Sequence, residues 1–255
     1  MTRLSPFLPL LLAPLAAQAQ TEPPPAIEAP RAAAAPILDG LLDEPVWKTA
    51  PAIDLQAGTA RLCWTPEGLY AAFESQDPAL FASTSAPGSS LHEGDVFEIF
   101  FDAIGDHLQY TEVQVNAADR SFFKNYILTA PPLLTKTNRL TKEFCDSQLW
   151  RYDLPAPEGF TVKSRVVDGA WTTELFLPAK FLNRRRGGTP LEAGITLYLN
   201  LARYDWNAPM GGAERKAEFH YWVSVEPGCP HISPTRMGAV TLTEGRAEGP
   251  TAGRT

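Results

Sequence analysis

Apolar residues in this chain come in short runs broken by turn residues, and no segment sustains a long 3.6-residue period. Residues 61–64 lead into the turn Thr65-Pro66-Glu67-Gly68, and residues 69–74 return as a strand, which makes a hairpin. Residues 95–102 form a strongly apolar strand, residues 109–116 alternate, and residues 121–127 read as their continuation. Residues 160–167 and 171–177 make a second hairpin about Asp168-Gly169. Residues 195–203, 219–225 and 237–242 close the series, and only residues 179–184, after Pro178, suit a short helical turn. Regular spacing of short strands predicts an all-β chain, a jelly-roll-like β-sandwich of two antiparallel sheets with minor helical turns.

The flanks differ in kind. Residues 1–19 carry Arg3, an apolar run over 7–17 and the small-x-small end Ala17-Gln18-Ala19, the pattern of a secretory signal peptide. The run is interrupted by proline and is shorter than the ~20 apolar residues that span a bilayer. Cleavage after Ala19 gives a secreted or periplasmic protein that starts at Gln20. Residues 20–36 hold Pro23-Pro24-Pro25 and an alanine run, which predicts an extended linker, and residues 244–255 read as a disordered tail. The folded domain is expected over residues 37–243, without a membrane span. A formal net charge of −7 argues against nucleic acid, which requires a basic footprint. The three cysteines, Cys63, Cys145 and Cys229, allow at most one intramolecular disulfide and form no C-x-x-C pair.

Two strands have faces of unusual chemistry. In residues 109–116, Thr111, Val113 and Val115 share one side, and Tyr110, Glu112, Gln114 and Asn116 share the other. In residues 195–204, Leu197, Leu199 and Leu201 oppose Tyr198, Asn200 and Tyr204. Amides and tyrosines together suit hydroxyl-rich ligands, with donors and acceptors for hydroxyls and flat rings for sugar faces. Glu98 interrupts an apolar strand and requires a partner, either ligand hydroxyls or a cation such as Arg203. Trp206, in the turn-rich stretch Tyr204-Asp-Trp-Asn-Ala-Pro209, is the first candidate for ring stacking. Trp150, in an irregular region, is the second. Trp47, Trp64, Trp171 and Trp222 read as core.

Several segments, taken in order, resemble carbohydrate-binding module family 9 and its secreted, DOMON-like relatives. The opening Pro36-Ile-Leu-Asp-Gly-Leu-Leu-Asp-Glu-Pro-Val-Trp47 is similar to the family's start, and Leu62-Cys-Trp-Thr-Pro-Glu-Gly-Leu-Tyr70 to its first hairpin. Gly94-Asp-Val-Phe-Glu-Ile-Phe-Phe-Asp102 resembles its central strand, and Tyr110-Thr-Glu-Val-Gln-Val-Asn116 the strand that follows. Trp171-Thr-Thr-Glu-Leu-Phe-Leu-Pro178, Asn200-Leu-Ala-Arg203, Trp222-Val-Ser224 and the stretch from His231 to Gly238 complete the series. The resemblance implies a β-sandwich that binds sugars in a slot between aromatic rings, with Glu98 as the carboxylate for sugar hydroxyls. His92 stands where typical members carry a clamp tryptophan, and Arg236-Met237-Gly238 stands near the second clamp position. The resemblance also brings in structural calcium. Asp39, Asp43 and Glu44 are oxygen donors for it, with turn capping as the alternative use of Asp43.

The function expected from these readings is non-catalytic carbohydrate binding by an exported protein, tied to polysaccharide or oligosaccharide use. The expected ligand residues are His92, Glu98, Tyr110, Gln114, Asn116, Asn200 and Trp206, with no required cofactor. Two alternatives remain open at this point. One is a DOMON-like haem module with Met237 and a histidine as axial ligands. The other is a glycosidase with Glu98 and Glu112 as its carboxylate pair.

Overall fold

The computed structural model describes residues 24–83, 89–128, 149–207, 215–224 and 237–245. The expected signal peptide, Cys145, Cys229, His231, Arg236 and most of the expected tail lie outside them.

Two sheets face each other. The larger has the order β1 (Ala26–Pro30), β13 (Gly238–Thr243), β11 (Thr196–Trp206), β5 (Val96–Asp102), β6 (Gln109–Val115), β7 (Ser121–Leu128), β8 (Leu149–Leu154). The smaller runs β2 (Ile53–Asp54), β3 (Thr59–Thr65), β4 (Gly68–Gln76), β10 (Ala170–Pro178), β9 (Thr161–Val167). The long strand β11 pairs with β13 through its first half and with β12 (Ala217–Tyr221) through its second. Two short helices, α1 (Pro45–Thr49) and α2 (Ala179–Leu182), and a 3-10 turn at Arg184–Arg186 complete the described elements.

The sandwich and both hairpins are as the turn spacing predicts. Four features differ. Ala26–Pro30, inside the expected linker, is strand β1, and it runs parallel to β13, so the larger sheet is not wholly antiparallel. Short alanine and proline side chains suffice there because β1 lies at the sheet edge, where proline's missing N–H costs no ladder bond. Residues 121–128 do not continue β6. They turn back at residues 116–120 and pair with it as β7. Trp150 lies on a regular edge strand, β8, rather than in an irregular region.

The core sits between the sheets and follows the alternation. Phe97, Ile99 and Phe101 of β5, Val113 and Val115 of β6, and Leu199 and Leu201 of β11 point inward. They meet Leu62, Trp64, Leu69, Ala71, Phe73, Trp171 and Leu175 from the smaller sheet. Phe97 stacks on Phe73 at 4.5 Å and leans on Trp171 at 4.5 Å. Trp47, Trp64 and Trp171 are buried as expected. Trp222 is half-buried and lies against Gly238, where an added Cβ would come within 2.3 Å of its ring.

The outer face of the smaller sheet is closed by the opening turn of the domain. Glu174 of β10 accepts hydrogen bonds from Asp39 N (3.0 Å), Gly40 N (2.8 Å) and Trp47 Nε1 (2.9 Å). One buried carboxylate thus fastens the Asp-Gly turn and the α1 tryptophan to the sheet. Glu174→Ala would leave the buried Gly40 and Trp47 donors unpaired. It should cost about 2–4 kcal/mol of stability, with Glu174→Gln recovering part of it. Urea unfolding of the three proteins measures this, and a loss below about 1 kcal/mol would mean that the turn is held by packing alone.

Candidate functional site

Alternation places a second set of side chains on the outer face of the larger sheet. The register aligns Ala202, Glu98, Gln114 and Phe122 in one row across β11, β5, β6 and β7. Asn200, Phe100, Glu112 and Lys124 form the adjacent row. Tyr110 and Tyr126 pair one step further along. This is the polar-aromatic face read from the two alternating strands, but it is not an open one. Glu98, Tyr110, Glu112, Gln114 and Tyr126 are all buried.

Glu98 is the centre of this set. Gln114 Nε2 donates to Glu98 Oε1 at 2.9 Å and to Glu112 Oε1 at 2.7 Å, and Tyr126 Oη donates to Glu112 Oε2 at 2.6 Å. Glu98 Oε2 is buried and, among the described residues, has no hydrogen-bond donor. Burial first, and then the neighbouring Glu112, push the Glu98 carboxyl well above the usual carboxylate range. Tyr204 and Tyr221 lie near Glu98, and burial raises both phenols. The site therefore joins a carboxyl oxygen without a donor, a shared amide and a set of phenols. Such an arrangement can accept hydrogen bonds from a neutral hydroxylated ligand. It disfavours an anionic one, because Glu98 already carries a neighbouring carboxylate.

Gln114 links this cluster to the loop before β5. Its Oε1 accepts from Leu91 N at 2.8 Å and Ser90 Oγ at 3.4 Å, and Ser90 Oγ lies 2.5 Å from His92 Nδ1. His92 itself is exposed, at the rim. Its carbonyl accepts from Trp206 Nε1 at 2.9 Å. Glu98, Gln114, His92 and Trp206 are thus brought together. The Arg215 guanidinium lies 3.7 Å over the Trp206 ring and bonds the Glu93 carbonyl, so a cation already covers one face of that indole.

The other expected ligand residues serve the fold. Asn116 donates to Ser83 O at 2.7 Å and accepts from Ala118 N and Arg120 N, which builds the β6–β7 turn. Asn200 donates to Val223 O and accepts from Val223 N, both at 2.9 Å, and so pins the chain after β12. Tyr110 stacks on Tyr126 at 4.9 Å and meets Phe100 edge-on, inside a small cluster that includes Met237. Glu112 and Tyr126, absent from the expected ligand set, belong to the centre. Their position follows from the period-2 pattern of β6 and from the antiparallel return of β7.

Arg203 does not pair with Glu98. It points to the opposite, inner face, between Trp171 and Phe97 at 5.0 and 5.4 Å. There it meets Asp77 Oδ2 at 2.7 Å and Asp95 Oδ1 at 3.3 Å, with Asp205 at 3.7 Å. Among the described residues, Asp77, Asp95 and Asp205 form the grouping of carboxylates close enough to share a cation, and the Arg203 guanidinium lies among them. Asp95 also accepts from Phe81 N and Trp206 N, so it ties the loop before β5 to β11. At the expected calcium donors, Asp39 accepts from Leu41 N at 2.9 Å and Glu44 from Ile37 N at 2.8 Å. These contacts shape the turn that leads into α1.

No protein-family model matches the chain, and no curated protein matches it. Solved structures do. A family 9 carbohydrate-binding module from Caldicellulosiruptor kristjanssonii in complex with glucose is 14% identical, with a TM-score of 0.54, over 88% of this chain and 98% of that one. A family 9 module from the same organism in complex with cellotriose is 15% identical, with a TM-score of 0.53, over 90% and 99%. A candidate carbohydrate-binding protein from Bacteroides uniformis is 12% identical, with a TM-score of 0.59, over 86% and 99%. The chain has the fold of these modules.

Proposed function

We propose that this protein is a non-catalytic carbohydrate-binding module that recognises a neutral sugar at Glu98. The observation that carries the reading is the Glu98 Oε2 atom, a buried carboxyl oxygen without a donor among the described residues, on a face of amide and phenol groups. A hydroxyl-bearing ligand supplies the missing hydrogen bond, and the raised proton affinity of Glu98 lets the carboxyl accept or donate. The glucose and cellotriose complexes of two structures with this fold support the ligand class. In this reading the rim residues His92 and Trp206 order the entrance. The chain acts after export, in the uptake or breakdown of polysaccharide.

The carboxylate geometry also favours binding over hydrolysis. Glycosidases place a scissile bond between two carboxyl groups. Here a single amide nitrogen, Gln114 Nε2, already touches both Glu98 and Glu112.

Thermal unfolding and titration calorimetry with glucose, cellotriose and a panel of neutral sugars, with and without calcium, test the proposal. A sugar present at 100 times its dissociation constant should stabilise the protein by about 2.7 kcal/mol. Glu98→Gln should abolish that gain while the protein remains folded. A sugar that binds the variant as well as the wild type would remove Glu98 from the site, and no response to any sugar would end the reading.

A further inference from the structure

The geometry points to a second carbohydrate surface at the β8 edge, on the opposite face of the larger sheet from Glu98, built for an acidic glycan. On β8, Trp150 is 72% exposed and Tyr152 is 49% exposed. They are two positions apart, so both rings stand on one side of the strand, about 7 Å from each other. That side is the inner face of the sheet. There the register aligns Thr111, Asn125 and Tyr152 across β6, β7 and β8.

A continuous hydrogen-bonded row connects these three side chains, buried at Thr111 and Asn125 and exposed at Tyr152, so it braces the surface from beneath. Asn125 Nδ2 donates to Tyr152 Oη at 3.2 Å, and Thr111 Oγ1 donates to Asn125 Oδ1 at 3.1 Å. Arg184 Nη2 donates to Thr111 Oγ1 at 3.2 Å and ends the row. Arg184 opens the 3-10 turn Arg184–Arg186, whose three arginines are all exposed. Among the described residues none of the three forms an ion pair. Nearby negative charge on β8 is turned away. Asp153 points to the other face and pairs with Lys124 at 3.3 Å.

The parts have distinct uses. Exposed flat rings present π-faces to the C–H faces of sugar rings. Guanidinium groups without carboxylate partners match the planar carboxylates of uronic acids, which they hold through two parallel hydrogen bonds. The row spans two strand spacings, roughly 10 Å, between Thr111 and Tyr152, which places rings and cations at opposite ends of a short oligosaccharide. A solvated edge strand explains neither two exposed aromatics on one side nor an exposed arginine, Arg184, that ends the same hydrogen-bonded row and opens a turn of three arginines without ion pairs among the described residues. Charge complementarity selects the occupant in a chain whose net charge is −7. Its remaining surface repels an acidic polymer, so such a ligand is confined to this patch.

The surface is independent of Glu98, and the test separates the two. Tetragalacturonate and cellotetraose are titrated against the full-length protein by calorimetry at low and high salt. Tetragalacturonate should bind the wild type, bind Trp150→Ala and Arg185→Gln/Arg186→Gln at least tenfold more weakly, and weaken as salt rises. Glu98→Gln should leave that binding unchanged. Trp150 and the two arginines are exposed, so their variants should keep the wild-type melting temperature. Three outcomes would overturn the proposal: no binding of tetragalacturonate, equal binding by the Trp150 variant, or equal affinity of cellotetraose for this surface. Self-association lost in Trp150→Ala, with no glycan bound, would replace it with a contact between two copies of the chain.

Discussion

Arg203→Met should destabilise the domain by about 3–5 kcal/mol, the largest loss expected from any single substitution described above. The guanidinium is completely buried and holds two buried carboxylates, Asp77 and Asp95, within 3.3 Å. Methionine replaces its volume between Phe97 and Trp171 but removes the only positive charge in that pocket among the described residues. Asp77 and Asp95 must then take up protons or expose themselves to water. Burial already raises both groups above the usual range even with Arg203 present. A triple variant, Arg203→Met with Asp77→Asn and Asp95→Asn, removes the stranded charges and should recover much of the loss. Urea unfolding at neutral pH distinguishes the cases. A small effect of Arg203→Met alone would mean that water reaches the carboxylates and the cluster is not sealed.

The second large effect concerns pH. Glu98 has a folded-state proton affinity well above the ordinary one, chiefly because burial penalises the charged form; Asp77, Asp95 and Glu174 are raised by the same cause but less, against Arg203 and the hydrogen-bond donors that hold their ionised forms. The folded protein therefore holds protons that the unfolded chain releases. Stability from these groups is present in full below the ordinary carboxylate range, and it is lost as pH rises through their elevated values. Each tenfold difference in proton affinity corresponds to about 1.4 kcal/mol. The unfolding midpoint should thus be higher near pH 5 than near pH 8, the reverse of a protein held by ionised surface pairs. Glu98→Gln, which carries no titrating proton, should flatten that slope. A midpoint that climbs with pH in the wild type would show that the carboxylates fold in their ionised forms.

The β-sandwich was legible because turn residues punctuate the chain and alternation assigns faces without tertiary information. Glu98 and Gln114 were legible for the same reason: a carboxylate in an apolar strand and an amide in an alternating one announce themselves. Asn116 and Asn200 read as ligand residues because local pattern shows a polar side chain on a face but not its partner. Their partners, Ser83 and Val223, come from chain segments that only the folded topology brings near. Arg203 was the cation offered as a partner for Glu98, and in the sheet the two lie at neighbouring positions of paired strands. The period-2 rule puts them on opposite sides: Glu98 faces Ala202 in the register, and Arg203 faces Phe97. Strand β8 was hidden by its composition. Arg151 and Asp153 alternate with aromatics instead of aliphatics, as suits an edge, and no apolar period marks them. Strand β1 was hidden by proline and alanine, which resemble a linker until β13 supplies the other half of the ladder.

That last pairing bears on how the molecule comes to be folded. Strand β1 adds to β13, and Arg31 meets Glu244 beyond the pair, across 213 positions of chain. A contact so distant in sequence carries a large loop-closure cost and cannot nucleate folding, because the chain must be ordered in between before the two ends are held close. The two hairpins of the smaller sheet, β3–β4 and β9–β10, are local and can form early. The β1–β13 clasp is then expected among the last contacts made. Until it closes, the β13 edge offers unpaired backbone groups to any extended strand, so a slowly completed chain is most exposed to mispairing at that edge.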